Sequence, residues 1–168
     1  MQWKGEIVGI FLAAEKGARL SAASETRAVV GRGLEGDRYF ERKGTYSAKP
    51  GGGREVTLIE SEAIEAATRD YHIELSPDET RRNLVTRGAP LNHLVGRTFR
   101  VGEALLRGVR LCEPCDYLEG LTRPGLKKAL IHRGGLRAEV VREGRIRVGD
   151  AIEEGGEAVS GPSGPEAR

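Results

Sequence analysis

The 168-residue sequence contains only two cysteines, Cys112 and Cys115, and only three histidines. A closed structural zinc site needs four protein ligands, and no second cysteine pair is present to supply them. His72, His93 and His132 would have to complete such a site, and they stand at scattered positions. The shortage of cysteine therefore disfavours a zinc-stabilised fold, and it leaves no framework of disulfides.

Long apolar runs and a strong charge of either sign are also missing. No run approaches the roughly 18 residues that a membrane-spanning helix needs, and residues 1–6 lack the apolar core of a signal peptide. The net charge of +2 is too small to indicate a nucleic-acid partner. We therefore expect a cytoplasmic protein with neither nucleic acid nor membrane as a partner. The sequence also lacks a phosphate-loop motif and a dinucleotide-binding fingerprint.

Short β-branched and aromatic segments separated by glycine-rich turns predict a mainly β (α+β) fold, a closed or partly open β-barrel with a few short helices. Strands are predicted at residues 3–13, 26–30, 54–59, 97–101 and 104–112, and a hairpin joins 136–141 to 145–148 around Glu143 and Gly144. Helices are predicted after Ser61 and Ser76 and at 124–131, where Leu126, Leu130 and Ile131 form the buried side. We expect one domain, residues 1–154, and a disordered tail, residues 155–168.

The two cysteines form a C-x-x-C motif where a predicted strand gives way to a helix. A helix N-terminus at that point favours the thiolate form. Four interpretations of Cys112 and Cys115 remain open: zinc ligands, a thiol–disulfide exchange pair, small buried apolar residues, or one working thiolate. Such a thiolate would act as a nucleophile, sulfur carrier or soft-metal ligand beside an anionic cofactor held by arginines.

Two polar segments supply candidates for holding such a cofactor. Arg81, Arg82 and Asn83 are adjacent at the start of a predicted strand and close to a helix end. They suit a ligand that combines a phosphate with a polar heterocycle, although two solvated arginines at a turn would give the same pattern. Asp37 and Arg38, between a glycine-rich turn and two aromatic residues, form the second segment.

An ordered series of motifs runs through residues 3–153: GLEGDR at 33–38, REVTLIE at 54–60, RRNLV at 81–85, LVGRTFRVG at 94–102, EPC at 113–115 and GRIRVGD at 144–150. In this order the motifs resemble the MOSC family, named for the C-terminal domain of molybdenum cofactor sulfurase. The resemblance implies a MOSC-type β-barrel and one important cysteine, which either carries sulfur or ligates the molybdenum of a pterin cofactor.

The resemblance also implies particular site residues. Cys115, which follows a proline, matches the family cysteine and is the expected catalytic residue and metal ligand. The expected cofactor-binding residues are those that match the family's cofactor-contacting segment, together with two that are carried over by motif membership alone: Arg81, Arg82 and Asn83, then Asp37 and Arg54.

The resemblance implies a stand-alone MOSC domain that binds molybdenum cofactor (molybdopterin), carries sulfur for metal–sulfur cofactor assembly, or does both. Its expected partners are that cofactor or a sulfur donor or acceptor protein. Whether it is an enzyme stays open between a molybdenum-cofactor oxidoreductase and a sulfur transferase. One alternative is a molybdenum-dependent reductase of N-hydroxylated compounds, served by a separate electron-transfer reductase. Another is a non-enzymatic binding barrel stabilised by zinc or a disulfide.

Overall fold

The fold was taken from a computed structural model, which describes residues 2–40 and 53–155. The strands are β1 (Lys4–Leu12), β2 (Ser21–Ala23), β3 (Glu25–Val29), β4 (Gly33–Leu34), β5 (Val56–Glu60), β6 (Leu84–Arg87), β7 (Thr98–Val101), β8 (Ala104–Leu111), β9 (Leu136–Arg142), β10 (Gly144–Arg147) and β11 (Ala151–Glu154). The helices are α1 (Ser61–Tyr71), α2 (Asp116–Leu121) and α3 (Leu126–Ala129), with 3₁₀ helices at Pro77–Thr80 and Leu91–Leu94.

Seven strands close into a barrel in the order β11-β7-β8-β9-β5-β6-β1. Closure occurs at β1, which pairs with β6 on one edge and with β11 on the other. The pairs are antiparallel except for β5–β6, which is parallel. The prediction of a mainly β barrel with a few short helices is therefore confirmed.

The barrel core follows from the alternation of side chains along each strand. In β9, Leu136, Ala138 and Val140 are buried, whereas Arg137 and Glu139 between them are half-buried on the outer face. Phe99 and the inward residues of the other strands fill the same interior. The outward side of β9 is thus left for polar side chains.

A second apolar cluster covers the outside of β5 and β6. Ile59 and Val85 point away from the barrel interior and pack with residues from the helices: Ile64 and Ala67 of α1, Leu118 of α2, and Leu126 and Ala129 of α3. The half-buried Cys115 packs at the edge of this cluster. The cluster therefore fixes α2, and with it the cysteine segment, against the barrel wall.

The predicted hairpin is wrong, although both of its strands exist. β9 pairs with β5 on one edge and β8 on the other. Because both edges of β9 are occupied, β10 turns away and pairs antiparallel with β3, along Glu25–Ala28. β3 also pairs with β4, which makes a separate three-stranded sheet.

Two details of the helices also differ from expectation. Glu60, not Ser61, occupies the N-cap of α1, and Ser61 is the first helical residue. Ile131, expected on the buried side of its helix, is 53% exposed because α3 ends at Ala129. The start predicted at Ser76 is confirmed, since its backbone N–H donates to the Glu79 carboxylate at 3.0 Å.

Residues 41–52 and all but the first residue of the predicted tail, residues 156–168, lie outside the described residues. Gly155, at the start of the predicted tail, is buried, and its N–H donates to the Thr98 carbonyl at 3.3 Å. Within the described ranges no helix is long and apolar enough to cross a membrane.

Candidate functional site

A cleft on the outside of the barrel collects residues that are far apart in the sequence. It encloses about 600 Å³, counted with the solvent at its mouth. Arginines, aromatic residues and both cysteines line it: Arg38, Tyr39, Arg54, Thr57, Arg81, Arg82, Asn83, Cys112, Glu113, Cys115, Tyr117, Leu118 and Arg137. Five of the six predicted site residues are therefore brought to one place, and the sixth, Asp37, precedes the lining residue Arg38 in the chain.

The cysteines lie in the segment that joins β8 to α2, and their environments differ. Cys112 is 1% exposed, and its backbone N–H donates to the Gly135 carbonyl at 2.7 Å. Cys115 is half-buried at the N-cap of α2, where its carbonyl accepts the Glu119 N–H at 3.1 Å. Both thiols are free. Cys115 is the thiol that solutes can reach from the cleft.

Arg82 holds this cysteine segment in place through main-chain contacts. Its guanidinium donates to the carbonyl oxygens of Gly134 at 2.8 Å, Cys112 at 2.9 Å and Thr80 at 3.3 Å. The residue is only 7% exposed. Three backbone segments thus converge on one planar donor, a geometry suited to the fixed fork of arginine.

Asn83 joins three barrel strands at the inner end of the cleft. Its side-chain oxygen accepts the backbone N–H and the hydroxyl of Thr57, at 3.1 and 3.2 Å. Its side-chain nitrogen donates to the Phe11 carbonyl at 3.1 Å. The amide therefore links β1, β5 and the start of β6, which fixes the wall from which Arg82 and Arg81 project.

Asp37 does not line the cleft, but it holds the side chain of Arg38, which does. Its carboxylate is buried and accepts the Ala13 N–H and an Arg38 N–H, both at 3.1 Å, with a longer contact from the Tyr39 N–H at 3.4 Å. The Arg38 guanidinium also stacks near the Tyr39 ring, 4.9 Å from its centroid. Asp37 thus orients Arg38, and Arg38 is the member of the pair that lines the cleft.

Arg81 has an unusual backbone conformation and a guanidinium that is only partly hydrogen-bonded. Its backbone is left-handed, with φ 61°, which is uncommon for a residue other than glycine. One terminal nitrogen donates to the Ala18 carbonyl at 2.7 Å, and the other is buried with no hydrogen-bond partner in the described parts of the chain. Burial lowers the pKa of Arg81, and the charge of Arg38 lowers it further.

The cleft carries a positive charge. Five arginines line it, against one carboxylate, Glu113. That carboxylate turns to His132, accepting its backbone N–H at 2.7 Å and lying 3.1 Å from Nδ1 of the ring. A cleft of one charge sign with apolar walls attracts oppositely charged solutes. This site is therefore suited to an anionic ligand.

The geometry offers little to a zinc or disulfide interpretation of the cysteines. Over residues 2–40 and 53–155, no group of three or more His, Cys, Asp or Glu side chains is placed to hold a metal ion. Since both cysteines are free, no disulfide joins them. A soft metal held by one thiolate and an anionic cofactor does not require such a group.

Several lining residues were not predicted from the sequence, namely Tyr39, Thr57, Tyr117, Leu118 and Arg137. Arg137 and Thr57 lie directly opposite each other on β9 and β5. The alternation of β9 shows that Arg137 points outward, but the neighbour across the strand depends on a long-range pairing. Tyr117 could have been found from the sequence, because it lies only two residues after Cys115.

The family model for the MOSC domain matches residues 44–153. The chain belongs to the MOSC domain family. Its fold is similar to that of the YuaD protein from Bacillus subtilis, with a TM-score of 0.76, 17% identity, and coverage of 91% of this chain and 96% of that one. A search of curated proteins gave no match.

Two further solved MOSC-like structures are YiiM proteins. YiiM from Geobacillus stearothermophilus has a TM-score of 0.67 and 18% identity, over 88% of this chain and 73% of its own. YiiM from Escherichia coli has a TM-score of 0.59 and 19% identity, over 91% and 69%. At these identities the likeness establishes the MOSC fold, and the site residues must be argued from this chain.

Proposed function

We propose that this MOSC domain binds a molybdenum cofactor in the cleft, with Cys115 as the thiol that ligates the metal or carries sulfur. The observation that carries the proposal is a buried terminal nitrogen of Arg81, which has no partner among residues 2–40 and 53–155 and lies in the same cleft as Cys115. A buried donor without a partner costs about 1–3 kcal/mol. An anionic oxygen of a bound cofactor would remove that cost, and thiolate is a preferred protein donor for a soft metal.

The cleft residues divide into those that would touch the cofactor and those that support them. Arg81 and Arg38 would hold an anionic group such as the cofactor phosphate, since arginine binds phosphate through paired N–H donors. Arg54 remains a predicted contact on the same cleft. When bound, the molybdenum centre supplies two-electron redox chemistry together with oxygen- or sulfur-atom transfer.

The remaining predicted residues would position other parts of the site and would not touch the cofactor themselves. Arg82 fixes the Cys112 carbonyl and so the course of the segment that carries Cys115. Asn83 holds the strands beneath it. Leu118, buried in the second apolar cluster, keeps water from the inner side of Cys115. A thiolate confined in this way has a fixed direction of approach to a ligand.

The experiment is to express the full chain in a host that makes molybdenum cofactor, and to measure molybdenum and pterin in the purified protein. We expect both to be present, and both to fall in Cys115→Ser and Arg81→Gln. Arg145→Gln is the matched control, because Arg145 is an exposed arginine of β10 that does not line the cleft. Wild-type protein that carries neither molybdenum nor pterin, and whose Cys115 forms no persulfide with a sulfur donor, would overturn the proposal.

Two assays on the same preparation distinguish the two proposed roles of Cys115. A sulfur carrier gains the mass of one sulfur atom on the Cys115 peptide after incubation with a cysteine desulfurase and cysteine. A molybdenum enzyme of the reductase type turns over an N-hydroxylated base with a reduced dye, and Cys115→Ser abolishes that turnover. The half-buried position of a single reachable thiol favours neither role over the other.

A further inference from the structure

A broad groove lies beside the cleft, at the point where α1 and α3 end. This α1–α3 groove encloses about 840 Å³, counted with the solvent at its mouth, and its lining side chains include Asp70, Tyr71, Lys128, Ile131, His132 and Arg133. His132 connects the groove to the cleft, because its backbone N–H donates to the carboxylate of Glu113 at 2.7 Å and Glu113 lines the cleft. The groove is therefore next to the segment that carries Cys115.

Two large apolar side chains are exposed in the α1–α3 groove. Ile131 is 53% exposed and Tyr71 is 41% exposed. Single exposed apolar residues are common on protein surfaces, but apolar residues that share one groove with a charged rim mark an interaction site. Aromatic residues and arginine are also enriched where proteins meet. This lining fits the surface of another protein better than it fits a small polar solute.

The ionic groups of the groove are mostly positive. Asp70 is the single carboxylate among its lining residues that the structure describes, and two arginines share it: Arg69 donates to it at 2.7 and 3.0 Å, and Arg133 at 3.2 Å. Hydrogen bonds from Arg69 and then Arg133 lower the pKa of Asp70 to about 2. The ammonium of Lys128 lies 5.9 Å from the centre of the Tyr71 ring, and it forms no ion pair within residues 2–40 and 53–155.

Three cations therefore surround one carboxylate, and the charge of the groove selects its occupant. A positive surface attracts a partner with a negative surface and repels a positive one. The position of the groove indicates what such a partner would do. Cys115 is half-buried, and a thiolate that accepts sulfur must contact the donor persulfide directly. A protein that donates sulfur to Cys115 must therefore be held beside the cleft.

We propose that the α1–α3 groove docks the protein that donates sulfur to Cys115, and that the contact surface of this partner is acidic around an apolar centre. The proposal rests on the sulfur-carrier role of Cys115 in the proposed function. In the transfer, the Cys115 thiolate attacks the outer sulfur of the donor persulfide, and a new S–S bond forms at Cys115. The donor thiolate leaves with the electron pair of the broken S–S bond, so no further oxidant or reductant is consumed.

A comparison of two sulfur donors tests this docking. The protein donor is the cysteine desulfurase of the expression host, supplied with cysteine. The small-molecule donor is inorganic polysulfide, which reaches the thiol without docking. The rate at which the Cys115 peptide gains the mass of one sulfur atom is measured with each donor. The ratio of the two rates cancels the reactivity and the accessibility of Cys115, and it reports the contribution of the protein contact.

We expect the ratio of the protein-donated rate to the polysulfide rate to fall by roughly tenfold in Lys128→Glu. It should also fall in Ile131→Ser. The matched controls are Arg145→Glu and Val148→Ser, because both residues are exposed and neither lines the groove. Lys128 and Ile131 are exposed as well, so their replacement should leave the melting temperature unchanged.

An unchanged ratio in both Lys128→Glu and Ile131→Ser, or an equal fall in the two controls, would overturn the docking site. Sedimentation tests a second copy of this chain as the occupant: a wild-type dimer that dissociates in Ile131→Ser would overturn the proposal. Phosphatidylserine vesicles test a membrane as the occupant. Vesicles that bind the wild type but not Lys128→Glu would overturn it too.

The two donors also separate failure of the docking site from failure of the proposed function. Wild-type protein that accepts sulfur from polysulfide but not from the desulfurase keeps Cys115 as a sulfur acceptor and overturns the docking site. Wild-type protein that accepts sulfur from neither donor overturns both the sulfur-carrier role and the docking site. Molybdenum and pterin content then still tests whether the cleft binds the cofactor.

Discussion

Arg82 donates a hydrogen bond to the carbonyl oxygen of Cys112 at 2.9 Å, and this contact ties the start of β6 to the cysteine segment. Its Nε atom makes a second bond of 2.8 Å to the Gly134 carbonyl. Adjacent arginines in the sequence thus have different tasks. Arg82 turns to the backbone, whereas one terminal nitrogen of Arg81 is buried with no hydrogen-bond partner among the described residues.

Arg82→Ala should loosen the cysteine segment. The substitution leaves the carbonyls of Thr80, Cys112 and Gly134 without their donor, and each buried acceptor costs about 1–3 kcal/mol if water does not reach it. We expect the free energy of unfolding, measured by urea denaturation, to fall by about 2–4 kcal/mol. Arg82→Lys should recover only part of this loss, because a single ammonium group cannot match the planar set of donors in the arginine guanidinium.

Alkylation of Cys112 supplies a second measurement for the same variant. Because Cys112 is buried, iodoacetamide should alkylate it slowly in the wild-type protein. Arg82→Ala should accelerate modification of Cys112 while Arg145→Gln should not. A stable Arg82→Ala protein with Cys112 still protected would show that the segment does not depend on Arg82.

The two cysteines should respond unequally to serine substitution. Cys112→Ser places a hydroxyl in a buried apolar position and should lower the free energy of unfolding by about 1–3 kcal/mol. Cys115→Ser, at a half-buried helix cap, should change stability by less than about 1 kcal/mol, since serine is a favoured N-cap residue. Urea denaturation of the two variants in parallel measures the difference, and equal losses would contradict the asymmetry.

The barrel could be predicted from the sequence because its strands follow local patterns of alternation and β-branching. Alternation predicts β9, and the motif series contains the segments of Arg54, Arg81 and Cys115 that line the cleft. The hydrogen-bond partners of the polar side chains could not be predicted from these patterns. Asp37, Arg82 and Asn83 carry polar groups expected to touch a cofactor, yet their side chains hydrogen-bond to other groups of this chain, one of them 72 residues away.

The same limit explains the misplaced hairpin. Glu143 and Gly144 provide a suitable turn between two strands, and the strands form nearly where they were expected. Which strand β10 joins depends on whether the edge of β9 is already occupied. That is decided by β5 and β8, and no local signal at residues 136–148 reports it.

Gly134 should tolerate no side chain, because it packs against the cysteine segment. A Cβ at Gly134 would lie 2.5 Å from the Cys112 carbonyl oxygen and 2.9 Å from the Pro114 ring. Gly134→Ala should therefore lower the free energy of unfolding by more than about 2 kcal/mol. It should also disturb the Arg82 bonds and so expose Cys112 to alkylation.

Gly120→Ala provides the matched control. Gly120 lies within α2, and a Cβ there would meet nothing within 4 Å. Alanine favours the helix over glycine by about 1 kcal/mol, so this variant should be as stable as the wild type or slightly more so. Similar melting temperatures for the two alanine variants would show that the contact between Gly134 and the cysteine segment is unimportant.

Glu60, at the N-cap of α1, should make stability depend on pH. Burial raises the pKa of its carboxyl above the usual 4.5, although the Leu91 N–H bond opposes the rise. A raised pKa means that the folded state prefers the protonated form. The stability that the Glu60 carboxyl contributes is fully present below pH 4.5, and it is lost as the pH rises through the folded-state pKa.

Glu60→Gln isolates this effect, because the amide oxygen can still accept the Leu91 N–H and does not titrate. The variant should therefore gain stability relative to wild type as the pH rises from 4 to 7, and the gain should level off above the folded-state pKa. Urea denaturation of both proteins at each pH gives the difference, in which the titrations common to both cancel. A difference that is constant over this range would mean that Glu60 has the same pKa in the folded and unfolded states.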